Sequence, residues 1–232
     1  MMWYSGFYMS IAINDIHPWM LSSPDDDAVF TDVILPTLKD LHVKLMALDF
    51  QRGDAVAYVF HQHVLRVADM GRDFAAFMGA PEHAAKWYHY ALIVHDCGKV
   101  VLPHDIWDSE RKPSDDVKAQ RRAHARLGGE LLEQALPFDH PFTAFAADLA
   151  RHHHEQMDGK GPQGQKAGDL SVWVRAACIV DSFDGMSIKR AHFDNKRDLS
   201  SAGVHKRISE EKGPDQYDTG LVELFGKFLK VA

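Results

Sequence analysis

Positive charge is in short supply in this chain: 26 Lys and Arg stand against 33 Asp and Glu, for a net charge of −7. A nucleic-acid backbone calls for a basic face, so nucleic acid is excluded as the main partner. A small phosphorylated ligand is not, because bound metal ions can bring positive charge locally. Cysteine is scarcer still. The two present, Cys97 and Cys178, form neither a CxxC pair nor a disulfide framework, which points to a reducing compartment. No basic residue precedes Lys39, so the charged start of a secretory signal is missing. No apolar run approaches the ~20 residues of a membrane span. The expected setting is cytoplasmic, with no membrane partner. Strand-type alternation is rare, and neither internal repeats nor low-complexity segments are visible.

What the chain has in quantity is helical periodicity, in an ordinary globular composition of 46% apolar and 25% charged residues. The fold class read from it is all-α. Ser22-Ser23-Pro24-Asp25 predicts the start of a helix running to about Leu48. After Gly53-Asp54 a second helix runs to about Met78. A third, with Pro81 in its first turn, runs to about His95 and ends at Gly98. Ser114 predicts the cap of a fourth helix, reaching about Leu136. Pro137 and Pro141 flank the start of a fifth, ending near Glu155. A glycine-rich loop over 158–168 leads to a sixth, about Leu170 to Ile188. A last short helix covers about Thr219 to Lys230, after a polar stretch with no clear pattern. The expected organisation is an N-terminal helical extension, 1–53, and one helical domain, 54–232.

Histidine is abundant, with 15 in the chain. Position separates the informative ones, since residues three, four and seven apart share a helix face. His63 falls in the stripe of Val56, Phe60, Val67 and Phe74, and Tyr88, Ala91 and Leu92 lead to His95. His124 stands among Val117, Leu127 and Leu131. Phe142, Phe145, Ala146 and Leu149 lead to His152 and His153, and Ala147 and Ala150 lead to His154. Val174, Ala177 and Cys178 lead to Asp181. A lone histidine in such a stripe is usually a satisfied core residue, but an unpartnered buried carboxylate costs several kcal/mol. Five helices turning such groups inward can satisfy them together by holding metal. Imidazole with carboxylate suits iron, manganese or zinc, and no cysteine cluster suggests structural zinc.

The doublet His95-Asp96 at a helix end carries the most chemistry. A carboxylate has two oxygens and can bridge two metals. Such a pair can polarise a phosphoryl oxygen and deprotonate a bridging water. Lys99, one turn on, is placed to meet a phosphate.

Together these segments resemble the HD superfamily of metal-dependent phosphohydrolases, and within it the HD-GYP group. The pattern H…HD…D is matched by His63, His95-Asp96 and Asp181. HDCGK (His95 to Lys99) is similar to the family's HD-x-GK, and HVLRVA (His63 to Ala68) to its first histidine motif. HARLGGELL (His124 to Leu132), HHEQMDGKGP (His153 to Pro162) and DSFDGMSIKR (Asp181 to Arg190) resemble its later segments, in order. The resemblance implies a helical bundle around a dinuclear centre, with ligands at His63, His95, Asp96, His124, His153, His154 and Asp181. It implies two divalent ions, iron or manganese first, because Val59 stands where members with a third metal carry Glu. Asp96 would bridge, Lys99 would hold the scissile phosphate, Asp184 would act behind the ligands or on substrate, and Arg190 would contact phosphate or guanine. The implied activity is hydrolysis of cyclic di-GMP by a metal-bridging hydroxide, and the partner is a small phosphorylated nucleotide. A homodimer is compatible with this.

Three departures stand out. No Tyr separates Gly161 from Pro162, Gln156 replaces an Arg, and Ala191-His192-Phe193 replaces a Pro-Tyr-basic run. The family uses all three around the nucleotide rather than on the metals. Hydrolysis of another nucleotide or a phosphomonoester, and nucleotide binding without cleavage, are the alternatives.

Overall fold

Apolar spacing and local caps account for most of the helices. The computed structural model describes residues 15–53, 56–108, 113–189 and 197–231, and no strand occurs among them. The long elements are α1 (Leu35–Arg52), α2 (Phe60–Phe77), α3 (Glu82–Ile93), α4 (Asp115–Ala135), α5 (Pro141–His152) and α6 (Val172–Ser187). Shorter ones follow: α7 (Ser201–Lys206), α8 (Gly213–Gln216) and α9 (Thr219–Phe228). Ser114 caps α4 by accepting from Val117 N at 3.3 Å, and Ser171 caps α6 by accepting from Val174 N at 3.2 Å.

Aromatic residues from several helices meet in one core. Phe30 packs on Trp87 with ring centroids 4.7 Å apart, Tyr88 on Trp173 at 4.9 Å, and Phe74 on Phe225 at 5.0 Å. All six are buried. Each is worth roughly 1.5–3 kcal/mol relative to exposure. Tyr88 also donates its hydroxyl to Trp173 O at 2.8 Å, so its polar end is satisfied. Met20, Phe30, Ile34, Leu38 and Leu41 from the N-terminal segment belong to this same core.

Several boundaries differ from the expected ones. The N-terminal helix does not start at Ser22: two 3₁₀ turns, Pro18–Leu21 and Pro24–Asp26, come first, and a π-helical stretch, Phe30–Ile34, leads into α1. The second helix starts at Phe60, so Val56 precedes it and is not part of its stripe. Its first N–H groups are capped from a distance. Asp49 of α1 accepts from Phe60 N at 3.0 Å and His61 N at 2.8 Å, while Arg52 pairs with Asp49 at 2.5 Å and with Asp108 at 2.7 Å. The third helix ends at Ile93, and the fifth at His152 rather than near Glu155. The polar stretch that lacked a clear pattern contains α7, a π-helical turn over Arg207–Lys212, and α8.

Gly98 does not cap α3. It sits in a 3₁₀ turn, Cys97–Val101, that lies against the backbone of α4. A Cβ on Gly98 would fall 2.1 Å from His124 O and 2.4 Å from Gly128 N. Absence of that carbon lets the His95–Lys99 turn approach α4. Gly98→Ala is therefore expected to lower stability by about 1–3 kcal/mol through overpacking. Gly168→Ala, with nothing within 4 Å of its added carbon, should lie within about 0.5 kcal/mol of the parent. Urea denaturation of both variants checks the contrast.

Candidate metal centre

Each candidate side chain is delivered by a helix end or a turn of a long helix. α2 supplies His63 and, one turn on, Arg66. The turn after α3 supplies His95 and Asp96. α4 supplies His124, the end of α5 supplies His153 and His154, and α6 supplies Asp181 and, one turn on, Asp184. His63, His95, Asp96, His124, His153 and Asp181 are all buried, and His154 is partly exposed.

These groups converge on Asp96. His63 Nε2 and His95 Nε2 each lie 3.6 Å from Asp96 Oδ2. On the other oxygen, Oδ1, His124 Nε2 stands at 3.0 Å and His153 Nε2 at 3.7 Å. Asp181 Oδ1 is 3.0 Å from His63 Nε2 and 3.6 Å from His95 Nε2, and its Oδ2 is 3.7 Å from His154 Nδ1. Among the described residues, three triads have ligand atoms within 4.8 Å of one another: His63–His95–Asp181, His95–Asp96–His153 and His124–His153–His154.

The tautomers follow from the hydrogen bonds on the far side of each ring. His95 Nδ1 lies 2.6 Å from Leu92 O, His124 Nδ1 2.5 Å from Arg121 O, and His153 Nδ1 2.8 Å from Ala150 O. A carbonyl only accepts, so Nδ1 carries a proton and Nε2 is the nitrogen turned inward. His63 is held by a carboxylate instead, with Nδ1 2.6 Å from Asp184 Oδ2. Arg66 donates to both oxygens of that carboxylate, at 2.7 and 2.9 Å. The result is a buried set of acceptors facing one another. His124 Nε2 and His153 Nε2 are only 3.3 Å apart. His63 Nε2, His95 Nε2 and Asp96 Oδ1 are buried without a hydrogen bond. Such orphaned acceptors are costly alone, and divalent cations are the groups that satisfy several at once. The donor set of imidazoles and carboxylates therefore fits metal ions.

Protonation follows the same geometry. Burial alone would raise the Asp96 carboxyl, but Lys99, His95, His124 and His153 hold it well below the usual carboxylate range. Burial pushes His153 down to about 4, so its ring is neutral near neutral pH. Burial would lower His63 too, yet Asp181 and Asp184 more than offset it and raise its pKa. A cation entering beside His63 would displace that proton.

Lys99 is buried and pairs with Asp96. Its Nζ sits 4.2 Å from the Phe60 ring centroid, 5.5 Å from that of Tyr58 and 5.6 Å from that of Trp107. This aromatic surround is not apparent from sequence, since the 3₁₀ turn and residues 104–108 bring it together only in the fold. Arg66 and Glu155 are also new. Arg66 lies one turn beyond His63, a spacing that pointed to Asp184 only once α2 and α6 were paired. Glu155 accepts from Gln163 N at 2.6 Å and Gln165 N at 2.7 Å, and so closes the glycine-rich loop after the histidine pair. His152 points elsewhere, with Nδ1 2.8 Å from Asp148 Oδ1, and Arg121 donates to Ile106 O at 2.6 Å. Arg190 and the Ala191-His192-Phe193 run lie outside the described residues.

Loss of the Asp184 carboxylate frees the His63 ring. Asp184→Ala is expected to weaken binding of a divalent ion by about 10–100-fold while leaving helix content unchanged. Competition with a fluorescent chelator reads the affinity; parental affinity in this variant would mean that Asp184 does not orient His63.

Residues 60–186 match the HD domain model. Among curated proteins, the chain is 29% identical over 163 residues to 3'3'-cGAMP-specific phosphodiesterase 2 of Vibrio cholerae, covering 70% of this chain and 30% of that one. It is 28% identical over 171 residues to a cyclic di-GMP phosphodiesterase of Thermotoga maritima, covering 73% of this chain and 45% of that one. The chain thus spans less than half the length of these relatives. Among solved structures, Bd1817, a HDG"Y"P protein from Bdellovibrio bacteriovorus, superposes with a TM-score of 0.61 at 13% identity, over 91% of this chain and 69% of that one. The HD domain of the L. monocytogenes phosphodiesterase PgpH does so with a TM-score of 0.51 at 15% identity, over 84% of this chain and 95% of that one. These two share the fold. With more than half of its length under the family model, and the His63, His95-Asp96 and Asp181 pattern gathered in one place, the chain belongs to the HD domain family.

Proposed function

We propose that the protein is a metal-dependent phosphodiesterase acting on a cyclic dinucleotide, with cyclic di-GMP as the first substrate. The observation that carries this is the placement of Asp96, whose two oxygens face two separate pairs of histidines. Asp96 would be shared between two ions: His63, His95 and Asp181 would hold one with it, and His124, His153 and His154 the other. Iron or manganese suits this mixed imidazole and carboxylate set. Two such ions supply Lewis acidity toward a phosphoryl oxygen and lower the pKa of a bound water.

The chain's own residues do the rest. The carbonyls of Leu92, Arg121 and Ala150 hold the Nδ1 protons of His95, His124 and His153, so that all three lone pairs stay inward. Asp184, clamped by Arg66, does the same for His63 and is a positioning residue. Lys99 carries a positive charge next to Asp96, where it can turn toward a phosphoryl oxygen, and Tyr58, Phe60 and Trp107 keep water away from it. Arg190 is the candidate for a second phosphate or base contact. A closely related reading, 3'3'-cGAMP as substrate, is favoured by the similarity to the Vibrio cholerae enzyme. The alternative of nucleotide binding without hydrolysis fits poorly with a complete set of inward acceptors. No helix among the described residues is long and apolar enough to cross a membrane.

The test is product formation from cyclic di-GMP and 3'3'-cGAMP by manganese- or iron-loaded protein, followed by chromatography, with metal content measured in parallel. Asp96→Ala should lose metal and turnover together. Lys99→Ala should keep metal and lose about 10²–10³-fold in turnover, as expected for one electrostatic donor. Activity in metal-free Asp96→Ala protein would contradict the assignment.

A further inference from the structure

Beside the centre lies a cleft of about 350 Å³, and Asp181 belongs to its wall. That size falls at the low end of small-molecule sites, about 300–1,000 Å³. It suits one half of a dinucleotide rather than the whole. Its remaining wall is unusual for an acidic protein. Tyr58, Arg197, Arg207 and Lys212 line it, against a single further acid, Glu211. Glu211 is mostly exposed and reaches Arg207 Nε only at 3.6 Å.

Arg207 is the residue of interest. Its side chain is only 11% exposed, yet its hydrogen bonding is poor. Nη2 reaches Asp198 O at 3.5 Å, and Nη1 is buried with no hydrogen-bond partner. A guanidinium has five N–H donors, and leaving them idle in a buried place is costly. An anionic oxygen in the cleft would relieve that cost, and phosphate matches the guanidinium fork. Tyr58 joins this cleft to the centre, because it lines the cleft and its ring stands 5.0 Å from that of His63. An aromatic face there offers a stacking surface for a base.

We propose that this cleft seats the half of the substrate that is not cleaved, with Arg207 and Lys212 holding its second phosphate and Tyr58 its base. This rests on the phosphodiesterase reading, in which one phosphodiester occupies the metals beside Asp181. It also supplies cations from the Arg207–Lys212 turn on a chain whose Ala191-His192-Phe193 run has no Lys or Arg.

Calorimetric titration of cyclic di-GMP into the full chain, in excess calcium, measures seating apart from turnover. Arg207→Ala should raise Kd by on the order of tenfold or more, the scale of a hydrogen bond to a charged group. Arg207→Lys should recover part of that, and the exposed Lys212→Ala should raise Kd by a smaller factor. Hydrolysis of bis(p-nitrophenyl) phosphate, which occupies the centre alone, should be unchanged in all three. Parental Kd in Arg207→Ala and Lys212→Ala, equal losses on both substrates, or no binding of cyclic di-GMP or 3'3'-cGAMP by the parent would overturn the proposal. If the parent hydrolyses neither compound while Arg207→Ala still raises Kd, the cleft assignment stands and the phosphodiesterase reading falls.

Discussion

One carboxylate, Asp96, holds this arrangement together. It is buried, it pairs with Lys99, and its two oxygens look toward different pairs of histidines. A helix would send His95 and Asp96 in directions about 100° apart, given 3.6 residues per turn. Both reach the same centre because α3 ends at Ile93 and the chain turns in 3₁₀ geometry. That turn sits against α4 only because Gly98 has no side chain. The packing of a glycine and the charge of the centre are thus two ends of one constraint.

The second constraint is protonic. Four of the five rings that face the centre are oriented from behind. Three are held by carbonyls three residues earlier in the chain, and His63 by Asp184 and Arg66 from the α2–α6 pairing. Helical hydrogen bonding leaves such carbonyls available mainly near a helix end. His95 and His153 stand just past the ends of α3 and α5, while His124 lies within α4, where Arg121 O is shared with the helix. His95 and His153 thus find their orienting carbonyls at helix ends, whereas His124 shares one within its helix.

Much of this was legible in the sequence, for physical reasons that differ from residue to residue. His63, His124 and Asp181 could be read because each interrupts an apolar face, and burial of a polar group demands a partner. Ser114 announces the start of α4, since an N-cap is a local interaction. The start of α2 was not legible, because its cap is Asp49, 11 residues back on another helix. The aromatic surround of Lys99, the clamp of Arg66 on Asp184, and the cleft beside Arg207 are all tertiary. They depend on which helices lie side by side, and periodicity does not carry that. Gly98 resembles a helix terminator in sequence because glycine often is one, whereas in the fold its value is space.

The central claim is that Asp96 bridges two ions, and anomalous diffraction from a crystal of manganese-loaded protein tests it most directly. The account predicts two anomalous peaks flanking the Asp96 carboxylate, one among His63, His95 and Asp181 and the other among His124, His153 and His154. Manganese bound only at surface carboxylates, with no peak beside Asp96, would contradict it.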